Sequence, residues 1–593
     1  REMIQALVLG EKGMLPADIK ADFSRLGISH LLAISGLHMG IVTWLAYALI
    51  MAGLKCYPRI LLYLDGWKWA AVLAVIPAVL YGFVAGFQLP TVRALLMICA
   101  YVSALLLGRG HNLVNALMLA ALVILLVLPA SLFEASFQLS FAAVFCLVVV
   151  MPSLQQRVVS QRTSVAAQPG DMLERVRWCL LTSLIASAVV TIGTAPVVAA
   201  CFHRISLVGV VVNMVMVPYV GLLVVPLCLV ATAAVPLNAA VADLLFSGAG
   251  IFTELILNAT AVWAGAAWAE ITVMRPKLWE VGALYGLLLA VPVVLRRRKL
   301  KWYAAAVACF IMLECGQAWW PRSPAGNLRV TFLDVGNGDA AVVEFPSGAV
   351  MLIDGGGFMD ESFDIGRAVI APFLYYNRLA RVDYVVASHG HADHIGGLAS
   401  VIDEFGIAEV WVNSAQVSTP LQRRLREVVR SRGGRVKVMG DGLTTLAVEG
   451  VRIMVFGADA ADVSGTDHAH ENNKSLVMKI IWGETSFLFT GDVHIAREND
   501  LLLRNAPLGA TVLKVPHHGR AGSSSKGFIR RVSPQVAVVS VRGNGSRNIP
   551  SAAVLQDYTA LGARVYRTDI QGAVSIESDG ISFQVVPYLP TNY

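Results

Sequence analysis

The sequence predicts two units of different kinds: a polytopic α-helical membrane unit over residues 1–320, then an α/β unit over residues 321–593. Three observations carry this. The 593 residues are 56% hydrophobic and only 15% charged, against about 25% charged for an ordinary soluble chain. Before residue 320 the apolar residues fall in runs approaching the ~20 that cross a bilayer. After it the pattern changes to short apolar runs, with the period of buried strands, between amphipathic stretches.

Charge follows the same division. Residues 1–320 hold 21 Lys+Arg against 13 Asp+Glu, and residues 321–593 hold 26 against 27. The basic excess therefore belongs to the membrane unit, where it reports topology rather than nucleic-acid binding. All 8 Cys precede residue 320, mostly inside apolar runs, where Cys behaves as a small hydrophobe. Any metal site in the second unit must be built from His and carboxylate. The chain begins at Arg1 without a signal peptide, as a fragment of a longer protein would.

Along the first unit, residues 3–26 are mixed in polarity and predict an interfacial or soluble helix. Spanning helices are expected at 37–54, 69–88, 93–107, 112–128, 136–152, 178–201, 207–234, 240–268, 281–295 and 302–320. Pro218 and Pro226 should kink or break the run 207–234. Asp243 and Glu254 interrupt 240–268 and are expected to face the bundle interior. Four basic loops set the orientation: Lys55 to Lys68, Arg109, Arg157 to Arg177, and Arg296 to Lys301. With ten spans they share one side, the cytoplasm, which places residues 321–593 outside it. Trp319 and Trp320 suit the outer interface.

In the second unit, strands are expected near 328–335, 339–345, 350–354, 382–388, 409–413, 451–456, 475–482, 486–490, 510–516 and 535–541. Helices are expected near 394–404, 420–432, 495–504 and 551–561. The chemistry sits where strands end. Val382 to Ala387 runs into Ser388-His389-Gly390-His391-Ala392-Asp393-His394, an H-x-H-x-D-H cluster. His389 and His391, two apart, point the same way in extended chain and can share one ion. Asp393 and His394 can face a second. Downstream, Phe487 to Phe489 leads to Thr490-Gly491-Asp492, and Leu513-Lys514-Val515-Pro516 leads to His517-His518-Gly519. Upstream, Met351 to Ile353 ends in Asp354. Asp492 can bridge two ions, and His517 or His518 can close the second. Lys514, Arg520, Ser523 and Ser525 flank these histidines as candidates to hold a phosphodiester. Six arginines between Arg423 and Arg435 read as a solvated helix or as a strand-binding face.

H-x-H-x-D-H followed by T-G-D and H-H-G resembles the metallo-β-lactamase superfamily. Phe332 to Ala340 and Asn472-Asn473-Lys474-Ser475 narrow the likeness to the ComEC family of DNA-internalisation (competence) proteins. Gly27 to Gly40, with Ser29-His30-Leu31-Leu32 and Ser35-Gly36-Leu37-His38, resembles the signature opening that family's membrane domain. Phe87 to Ala94, Phe137 to Phe141, and Ile205-Ser206-Leu207 with Asn213 and Pro218 are similar to further family motifs. The chain departs from the pattern twice. The usual His between the first cluster and T-G-D has only His468 or His470 as candidates, and Ile549 stands before Pro550 where the family often has His.

The resemblance implies a multi-pass inner-membrane protein that passes single-stranded DNA into the cytoplasm, working with other competence proteins and embedded in membrane lipid. It implies an αββα sandwich for the second unit, on the periplasmic or extracellular side, degrading the strand that is not imported. Two divalent ions, Zn²⁺ or Mn²⁺, held by His389, His391, Asp393, His394, Asp492 and His517 or His518, would activate water for attack on phosphorus. Asp393, Asp492, Lys514 and Ser523 are the candidate catalytic residues. His30, His38, Arg93 and Gln138 are candidates to line a DNA path. Two rivals belong to other classes: a DNA channel whose second unit binds without cutting, and a membrane-anchored hydrolase of another ester.

Overall fold

The computed structural model describes residues 2–10, 13, 15–32, 34, 36–61, 63, 65–108, 113–155, 172–266, 268–317, 326–358, 363–417, 419–439, 442–457, 468–543 and 548–590. The chain divides into two compact units, Arg1–Cys315 and Gly316–Tyr593. The expectations at Arg109, Arg157, Arg162, Trp319 and Trp320, and at the side chains of His468 and His470, lie outside the described residues.

The apolar runs of the first unit form helices, which satisfy every backbone polar group internally where no water is present to do so. Among the described residues, six are long and apolar enough to cross a membrane: His38–Cys56, Gly66–Val84, Ala135–Gln155, Val176–Phe202, Gly209–Ala234 and Ala239–Ala264. Pro90–Leu106, Leu113–Val127 and Leu278–Val291 are apolar but shorter. Of the run expected at 302–320, the described residues to Gln317 lie in a helix Arg298–Gln317 that also carries Arg298, Lys299, Lys301 and Glu314, and it joins neither group. The kink expected at the prolines is a π-turn. Helix Gly209–Tyr219, with Pro218 near its end, passes through Val220–Val224 in π geometry and continues as Val225–Ala234.

Two expectations are corrected. Residues 3–26 form two helices, Glu2–Leu9 and Ala17–Arg25, rather than one. Leu7, Phe23, Leu26 and Ile28 are buried in one cluster with Val212, Val220, Cys228 and Ala249, so this segment is part of the unit's core. Asp243 and Glu254 do not face the interior; both are exposed. The helix Ala239–Ala264 buries Ala242, Ala249, Thr253, Ile256, Thr260 and Ala264 instead. All but Ile256 are small residues that let neighbouring backbones approach closely, and each acid stands one residue, about 100° of rotation, off that stripe. A two-stranded pair, β1 (Arg204–Ser206) with β2 (Glu270–Thr272), completes the unit's regular structure.

The second unit holds two sheets. Its strands are β3 (Leu328–Phe332), β4 (Ala341–Glu344), β5 (Val350–Ile353), β6 (Tyr384–Ala387), β7 (Glu409–Val412), β8 (Arg435–Val438), β9 (Gly442–Val448), β10 (Val451–Gly457), β11 (Val477–Trp482), β12 (Thr485–Phe489), β13 (Val512–Lys514), β14 (Val536–Val539), β15 (Arg564–Arg567), β16 (Val574–Ser578) and β17 (Phe583–Pro587). One sheet has the order β17-β16-β3-β4-β5-β6-β7-β8, the other β15-β14-β13-β12-β11-β10-β9. Val330, Phe332, Val343 and Met351 from the first pack against Ile453, Met478, Phe487 and Val512 from the second in one continuous core. Phe332 stacks on Phe489 across it, centroids 5.6 Å apart. On the far face of the second sheet, Leu488, Leu513 and Val539 bury against Phe528, Ile529, Val554 and Tyr558 of the helices Lys526–Val532 and Ala552–Ala560. This is the αββα sandwich. Strands β5 to β8 are parallel, as are β12 to β15. Sites in such sheets form beyond the carboxyl ends of parallel strands, which is where the histidine-bearing loops emerge.

Candidate metal centre

The chain leaves β6 at Ala387 and turns through His389 and His391 into a short helix, Ala392–Ile395. His389 Nε2 and His391 Nδ1 come to 3.1 Å, so the two rings converge as their spacing predicts. Asp393 and His394 open that helix and face Asp492, three residues beyond β12. His394 Nε2 lies 3.2 Å from Asp492 Oδ1, and His518 Nε2 lies 3.5 Å from Asp492 Oδ2 and 3.8 Å from Asp393 Oδ2. Ligand atoms of Asp393, His394, Asp492 and His518 all fall within 4.8 Å of one another. His394, Asp492 and His518 are buried. His517 lies to one side, Nε2 3.7 Å from Asp492 Oδ2, with its ring 4.7 Å from that of His494.

Backbone strain produces this presentation. His517 and His518 have φ of 49° and 55°, followed by Gly519 at 76°. Left-handed geometry costs a non-glycine residue of order 1–3 kcal/mol and persists where the surroundings over-determine it. Here it aims two consecutive rings at one carboxylate. Ser523, a candidate catalytic residue, serves this turn: its buried hydroxyl donates to the Pro516 carbonyl at 3.1 Å and the Arg520 carbonyl at 3.0 Å. Ser525 caps the helix Lys526–Val532, accepting from Phe528 N. Gly491 has φ 53°, and a Cβ there would stand 2.8 Å from Ser475, so the turn into Asp492 requires glycine.

A layer of partners orients the rings. Asp354 Oδ2 accepts from His394 Nδ1 at 2.8 Å and from Ser388 Oγ at 2.8 Å, while Oδ1 accepts from Ser388 N at 2.8 Å. That bond places the His394 proton on Nδ1 and leaves Nε2 toward Asp492. His518 Nδ1 bonds the Ser540 carbonyl at 3.0 Å, which leaves its Nε2 toward the carboxylates in the same way. His389 Nδ1 meets Ser475 Oγ at 3.2 Å. Lys514, another candidate catalytic residue, is buried and its ammonium is paired with Asp339.

The carboxylates offset the effect of burial on the two histidines. Burial alone would lower the His394 pKa, but Asp492 and Asp354 hold it well above the ordinary value. Burial opposes His518 too, yet Asp492 and Asp339 push it up to about 9. Asp492 would be raised by burial but is held low by His518 and His394. In the metal-free protein the carboxylates thus retain protons on two imidazoles, and one dication displacing both conserves charge. His394 Nε2, His518 Nε2 and Asp492 Oδ1 are buried without a well-aligned hydrogen bond among the described residues. Two imidazoles and two carboxylates with such ligand atoms fit a first-row dication, and Asp354 and Ser540 are partners of the kind that orient metal-ligating histidines.

In the first unit, His38 is buried and His30 is exposed on the 3-10 turn Ser29–Leu32. Arg93 is buried and donates to Ser136 Oγ at 3.0 Å, which lies 3.5 Å from Glu134 Oε2. Gln138 donates to the Leu132 carbonyl at 2.9 Å. Sequence reading missed His494 as a site residue. Its Nε2 accepts from Asn472 Nδ2 at 3.1 Å and its ring borders His517, and a lone His two residues after the T-G-D signature gave little to find it by.

Both units match known proteins. Residues 7–298 match the family model for the competence protein, and residues 333–543 match that of the metallo-beta-lactamase superfamily. The chain is 27% identical to ComE operon protein 3 of Bacillus subtilis over 586 residues, 96% of this chain and 70% of that protein. It is 27% identical to competence protein ComA of Neisseria gonorrhoeae, over 96% of this chain and 74% of that protein. Among solved structures, the metallo-beta-lactamase fold protein YhfI from Bacillus subtilis aligns over 42% of this chain and 100% of its own, at 11% identity and TM-score 0.28. With a competence-type membrane unit and a metallo-β-lactamase unit in series, the chain belongs to the ComEC family of competence proteins.

Proposed function

We propose that this multi-pass membrane protein acts in DNA uptake, and that its second unit is a metal-dependent phosphodiesterase that degrades the strand not carried across. The observation that supports the hydrolytic reading is the convergence of Asp393, His394, Asp492 and His518 within 4.8 Å, over an orienting layer of Asp354 and Ser540. Competence-family relatives support the uptake role.

Asp393, His394, Asp492 and His518 would hold one divalent ion, and His389 and His391 would provide ligands for a second. Zn²⁺ or Mn²⁺ in such a site supplies Lewis-acid activation of water and of a phosphoryl group. The chain's own groups do the rest. Asp393 and Asp492 are positioned to accept the proton of the attacking water. Arg520, half-buried beside His517 and His494, is placed to hold a phosphodiester oxygen. Lys514 keeps Asp339 in place. In the first unit, Arg93 with Ser136 would meet the phosphates of a passing single strand, and His30, His38 and Gln138 would contribute to the polar path. The basic loops support a cytoplasmic location for themselves and a position outside the cytoplasm for residues 321–593. A nuclease there removes one strand without reaching the chromosome.

The test is a nuclease assay on the full chain in detergent across a metal series, on labelled single- and double-stranded DNA, with His391→Ala alongside. Metal-dependent cleavage that disappears in the variant is expected. DNA left intact while a small ester is hydrolysed would replace this reading with an ester hydrolase. Tight DNA binding without cleavage under every metal would leave a channel with a binding domain.

A further inference from the structure

The second unit is close to neutral, but its basic residues are not evenly spread. Residues 420–437 hold seven Arg and Lys against one Glu, while the rest of residues 321–593 holds 19 against 26. Four of these seven lie on the helix Pro420–Ser431 and three just beyond it, and a capping box closes the helix at its start: Thr419 Oγ1 accepts from Gln422 N, and Gln422 Oε1 accepts from Thr419 N. Leu425 and Val429 bury one face. Arg423, Arg424, Arg430 and Arg435 are exposed, and Arg432 is engaged with Asp403 at 2.7 Å.

What distinguishes this helix from a merely solvated one is where its first turn sits. The Gln422 amide packs on Gly390, between the two convergent histidines, so closely that a Cβ at Gly390 would collide with it. Arg426, one turn on, donates to the Ser414 carbonyl at 2.6 Å. Between these residues lies a cavity of about 20 Å³ lined by His389, Asn413, Ser414, Gln422 and Arg426, large enough for one water. The helix is therefore a wall of the His389–His391 turn, and its arginines continue outward from it on a body otherwise rich in acid. A guanidinium presents a planar fork that matches phosphate oxygens.

We propose that the exposed arginines of this helix and its end, Arg423 and Arg430 foremost, form a sequence-independent track for the phosphodiester backbone of single-stranded DNA leading to the metal centre. The proposal rests on the phosphodiesterase reading above and adds to it the surface that holds the substrate. Such a track contributes through counterion release: each phosphate neutralised on a single strand adds about 0.7 to the slope of log affinity against log salt.

The experiment uses the metal-stripped full chain in detergent, so that nothing is cut, and a fluorescent mixed-sequence single-stranded oligonucleotide titrated across salt. The double variant Arg423→Ala/Arg430→Ala should lower the slope by about 1.4, which shrinks the affinity loss between about 50 and 200 mM salt roughly sevenfold. Arg530→Ala/Arg531→Ala, an equal loss of exposed charge on the helix Lys526–Val532, should leave the slope unchanged. Equal changes in both variants, or none in either, overturn the track. Cleavage by metal-loaded protein with an unchanged slope would retire the arginine surface and keep the hydrolytic reading. A lowered slope with no cleavage under any metal would keep the surface and retire the chemistry.

Discussion

Asp354→Asn probes the centre without touching a proposed ligand. Asp354 has φ 57° at the end of β5, and Asn tolerates the left-handed region as well as Asp does, so the turn itself is preserved. The carboxylate serves three donors at once: Ser388 N, Ser388 Oγ and His394 Nδ1, each at 2.8 Å. An amide has one oxygen and one NH₂. If the oxygen stays with Ser388 N, the NH₂ faces His394 Nδ1 and moves the ring proton to Nε2, the atom directed at Asp492. If it is turned round, the NH₂ opposes Ser388 N, a buried donor left unsatisfied. The first arrangement takes the acceptor from His394; the second keeps one, but uncharged, at the cost of the unsatisfied Ser388 N. Loss of such a partner typically lowers metal affinity 10–100-fold, about 1.4–2.8 kcal/mol. Competition against a chelator, on the full chain in detergent with Asp403→Asn as a surface control, measures it. An affinity for Zn²⁺ and Mn²⁺ within about twofold of wild type, with circular dichroism unchanged, would refute the assignment of His394 as a ligand held by Asp354.

His518→Ala should remove far more bound metal than His517→Ala, because only His518 shares the four-ligand group; elemental analysis after gel filtration decides, and equal losses would count against that assignment. Asp393→Ala should likewise deplete metal, read the same way. Metal affinity should rise with pH up to about 9, by roughly tenfold per unit for each proton displaced, since His518 holds its proton to about 9; calorimetry in two buffers counts the protons released. The linked effect on the metal-free fold has the opposite direction. The raised His518 pKa stabilises fully below its unfolded value of about 6.5 and that contribution is lost as pH rises through about 9, so melting of the stripped protein should be lower at pH 9.5 than at 6.5. Arg93→Ala should reduce DNA uptake in cells while leaving metal content unchanged; normal uptake would return Arg93 to a packing role with Ser136.

Much of the candidate centre was legible because its signals are local and unusual. Four imidazoles and carboxylates within six residues, and apolar strands ending in Asp492 and in His517-His518, describe a sheet-rim site before any coordinates. What could not be read was depth and direction. Lys514 and Ser523 flank the histidines in sequence as readily as Arg520 does, yet one is buried and paired with Asp339 and the other ties the turn to its own carbonyls. A one-residue step from a strand end reverses the direction of a side chain, and the left-handed turn at His517–Gly519 is not announced by residue type. The same limit explains Asp243 and Glu254. Their place on the helix follows from which stripe packs, and the small residues beside them packed instead. Strands β8, β9 and β15 to β17 escaped notice because four of them, β8, β9, β15 and β17, lie at sheet edges and β16 alternates in burial, so the apolar signal of a fully buried strand is absent.

The π-turn at Val220–Val224 bears on phase. The buried residues of this span include Val212, Met216, Val220, Val224 and Cys228, a run of four-residue steps. In a regular α-helix each such step drifts by about 40°, so the stripe would wind well away from the partners that Leu7 and Phe23 supply. A turn closed by i→i+5 bonds accommodates one additional residue and brings the stripe back into line. Removing a single residue within Val220–Val224 would then regularise the helix and leave both flanking halves facing where they do now. Removing one anywhere else in Gly209–Ala234 would rotate everything beyond it by about 100°. The span tolerates a change of length at one place, the turn through which its packed stripe is brought back into line.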